Sequence, residues 1–133
     1  MRMARDSPGL YIRQYRMTEA QTMSEPTTHL LREMTDALVQ AVQPRQVLVF
    51  GSRARGEAGA DSDVDLLVVE DEPFGRQRSR RAELRRIRRA LASFRVPKDI
   101  LVYSHAEVQH WRHSRNHIIG KAYREGSVLY GDE

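Results

Sequence analysis

Asp63 and Asp65 stand two residues apart where an apolar run begins, in "DSDVDLLVVE". Residues two apart on a strand point to one face, so the two carboxylates project together with Cα atoms roughly 6.5–7 Å apart. That spacing suits a pair of hard divalent cations held about 3.5–4 Å from each other. Magnesium is the natural occupant, because it prefers oxygen ligands, keeps several waters and takes further ligands from substrate phosphates. A third carboxylate should then arrive from a neighbouring strand. Asp99, the only acid in "VPKDILVY", is the candidate.

A matching feature lies upstream, where the apolar "VLVF" runs into Gly51-Ser52. Glycine lets backbone approach a phosphate closely. Amides of the following turn, with the Ser52 hydroxyl, can cradle phosphate oxygens. Arg53 and Arg55 are placed to neutralise the remaining charge. The spacing is not that of a P-loop. Asp61 and Ser62 read as loop residues that shape the approach to Asp63. Each piece alone is common turn chemistry; their order, on elements that must converge, makes the case for a triphosphate site.

The elements that would position these groups follow from periodicity. Leu31, Met34, Leu38 and Val42 fall at helical spacing until Pro44 stops the run. Val47–Phe50 is a short strand, "RARG" one helical turn, and Val64–Glu70 a mostly buried strand. Pro73 and Gly75 mark a turn. Leu84, Ile87, Leu91 and Phe94 make one stripe of an amphipathic helix. Residues 96–103 form the third strand, and Ser104 with Glu107 has the spacing of a capping box that opens the next helix. Trp111, Ile118, Ile119, Ala122 and Tyr123 give the last helix its apolar face. Gly126 is a candidate C-cap, and "SVLYG" adds a short extended tail.

Composition bounds the reading. A chain of 133 residues, 40% hydrophobic and 30% charged, fits one globular domain with its own core. Residues 1–24 show no sustained periodicity and read as a flexible N-terminal extension, leaving 25–133 as the domain. No apolar run approaches the ~20 residues that span a bilayer, so no membrane role is expected. Zero cysteines excludes thiolate metal sites and suits a cytoplasmic location.

The motif "GSRARGEAGADSDVDLLV", with ten residues between Ser52 and Asp63, resembles the signature of the DNA polymerase β nucleotidyltransferase superfamily. The small size and the trailing "REGSVLYG" are similar to the minimal nucleotidyltransferases (MNT proteins), over residues 27–131. The resemblance implies an α/β (α+β) nucleotidyltransferase fold, a small mixed sheet flanked by helices with the site along one sheet edge. It implies Gly51, Ser52 and Arg53 as triphosphate binders, and Asp63, Asp65 and Asp99 as catalytic ligands of two magnesium ions. Asp99 would also serve as general base, and ATP would be the substrate.

MNT proteins are similar to antitoxins paired with HEPN toxins, which are ribonucleases. On that pattern AMP passes to a toxin tyrosine within a hetero-oligomer. Larger members of the superfamily bring a second domain to complete the pocket, a task that here would fall to the partner. An RNA or small-molecule acceptor is the alternative, and a non-catalytic toxin-binding module is the reading from another class.

Two further features stand apart from the motif. Residues 76–95 carry nine arginines against one acid, Glu83, which suits a solvated face or an acidic partner, with nucleic acid less favoured. His105, His110, His113 and His117 cluster within thirteen residues; they read as surface or partly buried helix residues in preference to a metal site.

Overall fold

A computed structural model describes residues 25–56 and 62–132. The N-terminal segment 1–24 and Asp61 fall outside the described residues. The element order is α1 (Glu25–Val42), β1 (Gln46–Phe50), β2 (Val64–Glu70), α2 (Arg80–Ala90), β3 (Lys98–Ser104), α3 (His105–Trp111), α4 (Ile118–Glu125) and β4 (Ser127–Tyr130). The strands form one mixed sheet in the order β3-β2-β1-β4, with β2 and β3 parallel and the other pairs antiparallel.

Strand alternation divides the core into two layers. On one face Val47, Val49, Leu66, Val68, Ile100 and Val102 pack with Leu31, Met34 and Leu38 of α1 and Ile87 of α2. On the other, Leu48, Phe50, Leu67 and Val69 pack with Val108 of α3 and Ile119 and Ala122 of α4. A sheet covered on both faces explains why "VDLLVVE" reads as a nearly unbroken apolar run rather than an alternating one.

Local signals set the boundaries. Helix α1 closes at Gln43, at φ 48°, where its amide donates to the Val39 carbonyl at 3.1 Å and Pro44 blocks continuation. Helix α2 starts at Ser79, whose hydroxyl accepts from the Ala82 amide at 3.1 Å. Ser104 and Glu107 form the expected reciprocal capping box. Phe94 reaches the core from the turn after α2 rather than from its stripe.

The last helical stretch differs from expectation. It divides into α3 and α4, because "RHSRN" offers no apolar period to bury and His117 caps a new helix, its Nδ1 accepting from the Ile119 amide at 3.1 Å. Trp111 consequently leaves the core: it is 38% exposed and stacks on His117 with ring centroids 4.3 Å apart. Among the described residues no helix is long and apolar enough to cross a membrane.

Candidate active site

The site is built at the end of the sheet where β1 finishes and the parallel pair β2–β3 starts. Parallel pairing brings two strand starts side by side, and the register places Asp65 directly opposite Asp99. Neighbouring strands lie about 4.8 Å apart, so the two carboxylates are adjacent. Both belong, by alternation, to the α3–α4 face. Asp63 precedes β2 and is exposed, as is Asp99, while Asp65 is half-buried. The Val64 amide donates to the Pro97 carbonyl at 2.8 Å, fixing the register where it matters.

On its other side Asp65 faces Phe50, the last residue of β1. Gly51 then turns the chain at φ 77°, and a Cβ built there would lie 2.3 Å from Asp65 Oδ2. The glycine is therefore required twice, for the left-handed backbone and for room beside the carboxylate. Residues 52–56 make a single turn, with the Arg55 amide donating to the Gly51 carbonyl at 3.3 Å. Ser52 is half-buried at its start.

Arg53 departs from its expected place as a phosphate ligand. Its side chain is buried, the residue being 4% exposed. Nε and Nη2 donate to the Ser62 carbonyl at 3.1 and 2.8 Å, and Nη1 donates to Thr27 Oγ1 at 3.0 Å. The guanidinium thus ties the far end of the 53–62 loop to its start and to α1. A planar fork of donors suits this carbonyl clamp, and it leaves the charge directed inward.

The cations that act on the carboxylates are others. Burial chiefly, then the negative charges of Asp99 and Asp63, push the Asp65 carboxyl above its ordinary value, while Lys121 and Arg55 pull it down. Arg55 also pairs with Glu125 at 3.5 Å. Lys121 escaped the sequence reading, because nothing in "IIGKAYRE" marks one exposed lysine; its place on α4, crossing the acidic end of the sheet, gives it meaning. Lys98 beside Asp99 is turned aside, with Nζ donating to the carbonyls of Phe94 and Val96 at 2.6 and 3.0 Å.

The C-terminal phrase acquires a physical basis here. A Cβ at Gly126 would lie 2.6 Å from the Val49 carbonyl oxygen and 3.2 Å from Phe50 Cβ. The α4–β4 joint therefore presses on the end of β1, immediately before Gly51. Gly126 does cap α4, its amide donating to the Ala122 carbonyl at 2.8 Å. It does so at φ −93°, so close approach and not a left-handed turn is what demands glycine.

Gly51, Asp65 and Asp99 are thus brought together, with Asp63 at the approach. The donor set fits a hard cation: oxygen ligands only, in a patch where like charge raises the proton affinity of Asp65, a condition a bound cation relieves. Among the described residues no group of three or more histidine, aspartate or glutamate side chains is arranged to hold a metal ion unaided. Phosphate oxygens would have to complete any coordination shell. Two of the four clustered histidines enter an aromatic stack, His110 edge-on to Trp111 at 4.6 Å and His117 edge-on to Tyr103 at 6.0 Å.

A mixed four-stranded sheet with helices on both faces, and paired acids beside a glycine turn, is the arrangement of a nucleotide-handling α/β domain. The chain belongs to the nucleotidyltransferase domain family, which matches residues 31–131. Among solved structures it is similar in fold to one described as a toxin–antitoxin with AMP-PNP, with a TM-score of 0.54 and 14% sequence identity over 76% of this chain and 73% of that one. No curated protein matches it in sequence.

Proposed function

We propose that this nucleotidyltransferase is magnesium-dependent, transfers AMP from ATP to a tyrosine hydroxyl of a cognate HEPN ribonuclease toxin, and thereby acts as an antitoxin in the cytoplasm. The observation that carries the reading is the register pairing of Asp65 with Asp99 beside the Gly51 turn. Membership of the family supports nucleotidyl transfer, and likeness to a toxin–antitoxin structure with AMP-PNP favours a nucleotide and a toxin partner.

In this reaction the acceptor oxygen bonds to the α-phosphorus, the bond from that phosphorus to the bridging oxygen breaks, and pyrophosphate leaves with the electron pair. Asp99 is exposed and is the group that receives the acceptor's proton. Gly51, Ser52 and the turn amides hold the triphosphate, with Arg55 and Lys121 offsetting its charge. Magnesium, held by Asp63, Asp65 and Asp99, would supply charge compensation between carboxylates and phosphates. Arg53 positions the loop and does not touch the nucleotide.

Incubation with α-labelled ATP, magnesium and the partner should transfer label to the partner, and Asp65→Asn should abolish transfer while the fold persists. Transfer that survives Asp65→Asn refutes the reading. Loss of transfer with undiminished toxin neutralisation would make the protein an antitoxin by contact alone. The arginine helix α2 lies on the sheet face opposite the acids, which favours a protein over an RNA acceptor. Label in RNA, at a yield falling steeply with salt, would reverse that choice.

A further inference from the structure

The nine arginines of residues 76–95 divide into two sets in the folded chain. Arg78, Arg80 and Arg86 are engaged within the fold. Arg78 pairs with Glu70 and Glu83. Arg86 pairs with Glu83 at 3.5 Å and donates to the Ala41 carbonyl at 2.7 Å. Arg80 donates to Glu107 at 3.0 Å and to the Val102 carbonyl at 2.8 Å. The other six, Arg76, Arg81, Arg85, Arg88, Arg89 and Arg95, are exposed, and the ion pairs of the segment include none of them. Glu83, the one acid of the segment, is buried and already shared by Arg78 and Arg86.

The second set is regular in space. At 3.6 residues per turn, Arg81, Arg85, Arg88 and Arg89 fill an arc about 100° wide, on the side of α2 away from the buried Glu83 and Ile87. Like charges three and four residues apart weaken a helix, and nothing in the segment offsets them. Residues 76–95 hold a surplus of eight positive charges against +4 for the whole chain, so the remainder is net −4. Positive potential is therefore concentrated on this stripe, on the sheet face opposite Asp65 and Asp99.

What the stripe lacks selects its partner. The remaining exposed residues of the segment are Gln77, Ser79, Ala82, Ala92 and Ser93, with Arg86. Trp111, on α3, is the one exposed large hydrophobic among the described residues. Protein interfaces form around aromatic and apolar centres depleted of charge, and single-stranded nucleic acid is held on aromatic platforms. The stripe has neither. A duplex backbone requires only cations, and a guanidinium fork meets a phosphate with two donors. The major groove of B-form DNA, about 12 Å wide, admits a helix between its bordering phosphates, whereas that of A-form RNA is too narrow for side chains to enter.

We propose that the exposed face of α2 docks on the phosphates of double-stranded DNA, without reading sequence, as a site separate from the nucleotidyl-transfer centre. Arg81, Arg85, Arg88 and Arg89 make the contacts, with Arg76 and Arg95 beyond the two ends of the row. The DNA is a mooring for the protein and not the acceptor of AMP.

The test is fluorescence anisotropy of a short labelled DNA duplex titrated with the full chain across a series of salt concentrations. Four neutralised phosphates give a slope of log K against log salt of about −3.6, a loss of about 150-fold between 50 and 200 mM. Arg85→Gln together with Arg89→Gln should halve the slope, so that the same change in salt costs about 12-fold, for every duplex sequence alike. Both side chains are exposed and repel their neighbours, so the variant should melt no lower than wild type. Arg115→Gln removes an exposed arginine between α3 and α4, the helices of the other sheet face, and should leave the slope unaltered. Absence of binding at about 100 µM protein in 50 mM salt, or a slope indifferent to Arg85 and Arg89, overturns the proposal. So does tighter binding of duplex RNA, single-stranded DNA or polyglutamate than of duplex DNA. Self-association by light scattering that requires the same two arginines would overturn it in favour of a second copy of the chain. The assay contains neither ATP nor acceptor, so its outcome is independent of the transfer reaction.

Discussion

Gly51→Ala separates catalysis from stability better than removal of an acid. The added methyl would sit 2.3 Å from Asp65 Oδ2, on a residue at φ 77°. Relief requires either the turn or the carboxylate to move by about 1 Å. The left-handed backbone alone costs an alanine about 1–2 kcal/mol, which for a domain of this size lowers the melting temperature by about 4–8 °C. A 1 Å misplacement in a reacting constellation costs about a hundredfold in rate. The expected result is a folded protein, by circular dichroism, whose transfer of label per folded molecule falls about 100-fold. Gly131→Ala supplies the comparison, since Gly131 is also left-handed, at φ 89°, but packs against Arg45 and not the acids. It should lose stability and keep its rate per folded molecule. A Gly51→Ala protein with the melting shift but an unaltered rate would refute the role of the turn in placing Asp65.

Two further predictions concern groups away from the phosphates. Glu70 binds its proton more tightly in the folded chain, at about 7 against an ordinary 4.5, so stability from this group is complete below pH 4.5 and declines until pH 7. The decline should be on the order of 3 kcal/mol by urea unfolding; a Glu70→Gln profile as steep as wild type would contradict it. Arg53→Lys keeps the charge but loses the fork to the Ser62 carbonyl, and should cost about 1–2 kcal/mol with a slower transfer rate. Equal melting temperatures for the two proteins would show that the clamp does not hold the loop.

What could be read in advance was local chemistry. The strand Val64–Glu70 and the Ser104–Glu107 capping box needed only neighbours in the chain, and both stand as expected. The acids of β2 and β3 could be nominated because alternation is intrinsic to a strand. Their register could not, since it depends on the Val64–Pro97 bond and on parallel pairing across some thirty residues of chain. Arg53 meets a related limit: its position after Gly-Ser suggests phosphate, while its burial follows from Thr27 and Ser62, which only the folded chain brings near. Trp111 was misplaced because apolar residues stand on both sides of "RHSRN", and only the cap at His117 shows that they belong to two helices.

The strand that carries Asp99 is one of the two edge strands of the sheet, and this has a bearing on traffic. On the proposed function, a nucleotide seated over the Gly51 turn would occupy the middle of the sheet end, leaving the flank beyond β3 as the gangway for whatever surrenders its hydroxyl. An acceptor as bulky as a folded protein can berth along that flank without threading a tunnel. Reagents that cover the flank should therefore block transfer while sparing nucleotide binding, a division of labour that a deep, enclosed pocket would not permit.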